Sequence, residues 1–394
     1  MGVTREIYEQ AMTRQRIDTH SHFGGENPDL CDLARGWGRF ETCEPMLNSK
    51  VCAVGAQALY DIDPGMFLRP DSPEEIFVRA AELRRRGVAE AFEYSLDLAK
   101  ITLQLVFTDH RPEISPVKGL SKRTRFLAFV DALIAGDDLA FCPDGRSETF
   151  CYYDALASHF GALNDLDDYL DALDAIIDGW RDNDVVGIKT AAAYTRGLHF
   201  TDPSAEEART AFTRKRDMTP GEVKTVQDFA FRHVLGAAKR NGLPVVIHTG
   251  FQIWGHAPLE QSNPKHLYNI ISDARYRGVT FVLLHGGQPY VGETTYLAAM
   301  WPNVVIDFTW ISWQSWPRFH LALSEWLEVV PHDRMCWGSD SAYPETIVGV
   351  DRITRRNIAA VLEDLIQRRI LDERTALDWL ANTYQKTPKR VFGL

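Results

Sequence analysis

The chain has 394 residues, 45% hydrophobic and 25% charged, a composition that can bury a sizeable core without disulfide or metal staples. A net charge of −11 with no basic run argues against nucleic-acid binding through a phosphate-attracting surface. Six scattered cysteines, Cys31, Cys43, Cys52, Cys142, Cys151 and Cys336, contain no CxxC pair, so neither a zinc ribbon nor a disulfide framework is expected.

The first residues, MGVTREIYEQAMTRQR, carry no apolar signal core. No uninterrupted apolar run approaches the ~18 residues of a membrane span. The expectation is a cytoplasmic protein that meets a small-molecule substrate, with neither nucleic acid nor membrane as partner, and that forms a homo-oligomer.

Eight candidate strands follow in order: residues 16–20, 101–107, 125–130, 185–189, 244–248, 279–285, 304–308 and 335–338. Most are near-continuous apolar runs, as expected of parallel strands buried on both faces. Helical stretches are expected between them. Residues 220–241 open on Thr219-Pro220 and stop at Gly242, residues 265–277 stop at Gly278, and residues 317–329 stop before Pro331. Residues 352–394 read as two closing helices. Alternating strands and helices predict an α/β fold, and eight units predict a single (β/α)8 TIM barrel over residues 1–394. An open doubly wound sheet is the alternative, but no glycine-rich phosphate loop follows the first strand.

Two stretches exceed a minimal barrel. About 80 residues separate the first two strands, where ~30–40 would be ordinary for a βα unit. Residues 23–100 are therefore an insertion, Gly/Pro/Asn/Asp-rich up to 72 and helical in pattern from 73. In a barrel it leaves from the catalytic end, which suggests a lid or an oligomer contact. Residues 196–218 form a second irregular piece after the fourth strand.

The chemistry starts with Asp18-Thr19-His20-Ser21-His22. Residues two apart on a strand face the same side, so His20 and His22 can grip one divalent ion. Lys189 ends VVGIK, His248 ends PVVIH, His285 ends VTFVLLH, and Asp340 follows MCWGS. Each stands where a candidate strand stops, the rim at which barrels place their chemistry. A core histidine explains any one of them but not the convergence from five strands. The implied cofactor is one or two divalent metal ions, zinc by preference, with manganese a possibility. Arg196 could hold a substrate carboxylate or lie on the surface. Trp254, Gln288, Tyr290 and Trp310 follow strand ends and could line a pocket for a ring-shaped substrate, or serve as packing.

The ordered set D-T-H-S-H, G-I-K, V-I-H-T-G, L-L-H-G-G and W-G-S-D-S resembles the amidohydrolase superfamily, in particular its branch with uronate isomerase, amidohydrolase-2 decarboxylases and nodulin-like amidohydrolase domains. The resemblance runs from Asp18 to Asp340. It implies metal ligands at His20, His22 and His248 and a proton-accepting carboxylate at Asp340. His285 would be a second-metal ligand or a polarising acid. Lys189 would be a carboxylated bridge between two ions, or else a protonated partner for a substrate carboxylate. The presence of a lysine departs from the decarboxylase-type pattern and favours the bridge. The activity implied is hydrolysis of an amide, ester or lactone by metal-activated water. A metal-dependent decarboxylase and a uronate-isomerase-like sugar-acid isomerase are the alternatives, and a sensor that kept the fold is a non-enzymatic one.

Overall fold

The structure is a computed structural model. It describes residues 3–22, 44–61, 85–107, 121–134, 159–214, 217–252 and 258–394, with Val78, Arg79, Glu82, Leu83 and Leu156 besides. Eight strands lie in one sheet in sequence order. They are β1 (Arg16–Ser21), β2 (Ile101–Phe107), β3 (Thr124–Phe129), β4 (Val185–Thr190), β5 (Val245–Ile247), β6 (Phe281–Leu283), β7 (Val304–Asp307) and β8 (Met335–Cys336). The ring closes by backbone hydrogen bonds from the Thr19 amide to the Trp337 carbonyl at 3.1 Å, from Asp340 to His20 at 2.7 Å and from His22 to Ser341 at 3.1 Å. The fold is the expected (β/α)8 barrel. Strands β5, β6 and β8 are shorter than the apolar runs that announce them. Val245, Val246, Phe281, Val282 and Ile306 are fully buried, which accounts for sequences that do not alternate.

By internal packing the chain divides into two units: Met1–Val106, Pro116–Arg125 and Asp307–Arg390 in the first; Phe107–Ser115, Phe126–Ile306 and Val391–Leu394 in the second. In the first unit, α1 (Val3–Thr13) precedes β1, and α2 (Glu44–Tyr60) and α3 (Val88–Leu98) belong to the insertion. So a helix occupies part of the Gly/Pro/Asn/Asp-rich half of the insertion. It packs on α9 (Pro344–Gln367), where Gly55 and Gly349 let the two backbones meet. The rest of the predicted lid, residues 23–43 and 62–72, lies outside the described residues. Beneath β1, the guanidiniums of Arg16 and Arg355 share Asp351, and Arg16 stacks 3.2 Å from the centroid of a Trp337 ring. Burial, the largest influence, lowers Arg16 to about 10 against the pull of Asp351.

In the second unit, α4 (Leu166–Gly179) buries Leu166, Tyr169, Leu170, Leu173, Ile176 and Ile177, a helical stripe, and Asp165 caps it by accepting from the Asp168 amide. The helix α6 (Pro220–Asn241) takes the expected bounds, with a Thr219–Glu222 capping box and Gly242 left-handed at its end. The irregular piece before it contains α5 (Ala205–Phe212), nucleated by a second capping box between Ser204 and Glu207.

The helix expected over 265–277 breaks into short turns at 264–267, 268–271 and 274–276. Asn263 and Asp273 accept from the Lys265 and Arg275 amides, each at 2.9 Å, and so compete with a continuous helix. Helix α7 (Val291–Met300) follows β6, and α8 (Trp316–Val329), in the first unit, follows β7. After α9 the tail forms α10 (Glu373–Ala381) and α11 (Thr387–Phe392), joined by a π turn, so three helices stand where two were expected. Among the described residues, no helix is long and apolar enough to cross a membrane.

Candidate metal site

In the first unit His20 lies in β1 and His22 just past its end, and both reach Asp340. Nε2 of His20 lies 3.2 Å, and Nε2 of His22 2.8 Å, from the same oxygen of Asp340. His20 is buried, whereas the His22 side chain is 44% exposed, so the group is open on one side. Two imidazole nitrogens and a carboxylate oxygen at one point make a donor set that suits zinc or a similar divalent ion. Burial alone would raise the Asp340 carboxyl, but the charges and hydrogen bonds of His20 and His22 outweigh it and hold it well below the usual carboxylate range.

Two buried acids fix this geometry. Asp18 accepts from the Ser339 amide at 2.8 Å and hydroxyl at 2.6 Å, and from Gln104 at 3.2 Å, tying β1 to the loop that carries Asp340. Asp307 accepts from the Thr19 hydroxyl at 2.7 Å and the Thr309 amide at 2.8 Å. Burial, opposed by these hydrogen bonds, pushes both acids up to about 6. Gly338 lets β8 approach, since a Cβ there would stand 2.5 Å from that of His20.

In the second unit His248 and His285 meet directly, Nδ1 of His248 lying 2.9 Å from Nε2 of His285. The other His248 nitrogen faces the Phe251 carbonyl at 2.9 Å, and the Tyr194 ring packs 4.5 Å from the His248 ring. His285 sits at φ 64, followed by Gly286 and Gly287 at φ 60 and 67, so the chain turns sharply off β6 at the histidine. Lys189 is buried with its Nζ 4.2 Å from the centroid of the Phe107 ring.

The other predicted residues fall as follows. Arg196 is buried against Asp228, with one guanidinium nitrogen also on the His199 carbonyl at 3.2 Å. Lys224 reaches the same carboxylate at 2.5 Å. Burial would raise Asp228, but the Arg196 charge and the Lys224 hydrogen bond leave it lowered. Gln288 and Tyr290 are half-buried after β6, and Trp310 is buried in the turn after β7. Trp254 lies outside the described residues.

The family described as Amidohydrolase matches residues 143–394, well over half the chain. The chain belongs to that family. The amidohydrolase is also 33% identical over 210 residues to Protein fluG of Emericella nidulans, covering 49% of this chain and 24% of that protein. It thus spans about a quarter of the length of this curated relative. Two solved structures share the fold. A Lactobacillus casei protein described as a metal-dependent hydrolase is 18% identical with a TM-score of 0.73, covering 98% of this chain and 97% of that one. Uronate isomerase of Thermotoga maritima is 13% identical with a TM-score of 0.72, covering 99% and 97%. A divalent metal is what family membership implies.

Sequence reasoning passed over two further acids of the amidohydrolase. Asp131 ends FLAFVD two residues past the third strand and Asp307 ends VVID on the seventh, close to the strand-end signal that marked the histidines. Both are buried; Asp131 accepts from the Thr190 hydroxyl and the Ala191 amide at the end of β4, and Asp307 from the Thr19 hydroxyl of β1 and the Thr309 amide beyond its own strand.

Proposed function

We propose that this amidohydrolase is a metal-dependent hydrolase that cleaves a C–N or C–O bond of a small carbonyl substrate: an amide, ester or lactone, with a carboxylate as a further feature. The observation that carries the proposal is the meeting of His20 and His22 on one oxygen of Asp340. His20, His22 and Asp340 would hold a divalent ion, zinc by preference. Such an ion, once bound, acidifies water to a pKa near ~7 and polarises a carbonyl. Asp340, kept ionised by its two imidazoles, is the acceptor for the proton of the attacking water and can return it to the leaving nitrogen or oxygen. His248, His285 and Lys189 would be the donors for a second ion were Lys189 carboxylated.

The test is elemental analysis of the purified protein, expected to find one or two divalent ions per chain, joined to a substrate panel. His22→Ala should lose metal and activity and keep its melting transition, because His22 is partly exposed and outside the core. No metal in the protein, with activity indifferent to chelators, refutes the proposal. Carbon dioxide release from carboxylated rings, or aldose–ketose interconversion of uronates, would replace hydrolysis by decarboxylation or isomerisation on the same fold.

A further inference from the structure

The end of β4 is held by a carboxylate from the neighbouring strand. Asp131, the second residue after β3, is buried and gives one oxygen to the Thr190 hydroxyl and the other to the Ala191 amide at 2.6 Å. The Thr190 hydroxyl oxygen in turn accepts from the Ala192 amide at 3.2 Å. One step earlier, the Val130 amide donates to the Lys189 carbonyl at 2.9 Å. Both sides of the strand-to-turn junction are therefore pinned to β3. On the strand side stands Lys189, against the Phe107 ring. On the turn side the 3-10 turn Ala192–Tyr194 delivers the Tyr194 ring to His248.

We propose that Asp131 is a positioning residue for the metal site, a latch that sets Lys189 and, through Tyr194, His248. The proposal rests on the assignment of those two residues to the site made above. It extends that assignment to a residue that touches neither ligand through a hydrogen bond. A buried carboxylate must find donors or carry a desolvation cost, and here its donors are a hydroxyl and an amide of the strand end that carries the ligand. An apolar residue at position 131 would leave the Ala191 amide and the Thr190 hydroxyl without this acceptor and free the junction to shift. Partners that orient metal ligands in this way typically cost about 10–100-fold in metal affinity when removed.

The experiment uses cobalt(II) as the probe, reading affinity by titration and ligand geometry from the visible absorption of the cobalt protein. Four proteins are compared: wild type, Asp131→Ala, Thr190→Val and Thr190→Ser. Asp131→Ala should weaken cobalt binding at least about tenfold and alter the absorption bands. Thr190→Val, which keeps the shape and deletes the hydroxyl, should do the same to a smaller degree even if Asp131→Ala folds poorly. Thr190→Ser restores the hydroxyl and should match wild type. A residue that served stability alone would lower the melting temperature and leave affinity and spectrum untouched. Wild-type affinity and spectrum in folded Thr190→Val and Asp131→Ala overturn the latch and leave the metal site standing. A wild type that takes up no cobalt removes the metal site, and the latch with it.

Discussion

Gly55→Ala tests how the insertion is attached. A Cβ at Gly55 would stand 1.8 Å from the Glu345 carbonyl oxygen and 2.7 Å from its carbon. The obstacle is helix backbone, so no side chain can swing away. Relief to an ordinary C···O contact of ~3.3 Å requires α2 and α9 to part by roughly 1.5 Å at that point. Parting would loosen Val51 and Ala56, now 1% and 0% exposed, and strain the hydrogen bond from Tyr60 to Glu345. Overpacking usually costs about 1–3 kcal/mol, and a clash with backbone belongs at the upper end. For a chain of this size about 3 kcal/mol corresponds to a fall of roughly 3–5 °C in melting temperature. Differential scanning calorimetry measures it, with limited proteolysis to ask whether residues 44–61 are cut first. Gly292→Ala is the control, since nothing lies within 4 Å of a Cβ there, and it should melt at or slightly above wild type. Gly55→Ala melting within about 1 °C of wild type, with no new cleavage, would refute the close helix contact.

Asp351→Asn should cost about 3–5 kcal/mol by leaving the buried charges of Arg16 and Arg355 uncompensated, read by denaturant unfolding. Burial raises Asp131 from 3.8 to about 6 in the folded protein, so the native state binds the extra proton between those values and wild-type stability falls as pH rises through them. Relative to wild type, metal-free Asp131→Asn should therefore gain roughly 2 kcal/mol between pH 4 and pH 7, and a pH-independent difference would contradict the burial. Lys189→Ala should lose one metal equivalent by elemental analysis, with activity partly restored by bicarbonate and a short carboxylic acid if the lysine is a carboxylated bridge. Full metal content in that variant would exclude the bridge.

The barrel was legible because buried parallel strands need uninterrupted apolar runs, and all eight runs became strands. Helix ends were legible where side chains cap them, as at Thr219 and Gly242. Where capping residues recur inside a segment, as at Asn263 and Asp273, the periodic pattern overstated the helix. The Ser204–Glu207 box was a usable signal for α5 that a run of polar residues obscured. At the site, a histidine at one strand end says little, and the histidines stood out only because several strand ends each carry a metal-capable side chain. Asp131 and Asp307 occupy equivalent positions, but an acid after a strand also reads as a loop or helix start, and only their hydrogen-bond partners separate the two. The pairing of Arg196 with Asp228, 32 residues away, depends on how the segment after β4 lies against α6. No local pattern encodes that.

The closure of β1 on the β8 loop has a consequence for biosynthesis. His20 and His22 leave the ribosome early, whereas Asp340, Ser339 and the carbonyls that receive the Thr19 and His22 amides arrive some three hundred residues later. During synthesis the two imidazoles have neither the carboxylate nor the backbone partners that hold them apart at the right angle. Contacts of such sequence separation form late, because the chain must lose the entropy of a long loop before they return anything. The three-donor set is therefore an outcome of completed folding rather than a nucleus for it. A nascent or truncated chain lacking the last strand would present the two imidazoles only as loosely as any pair of solvated histidines.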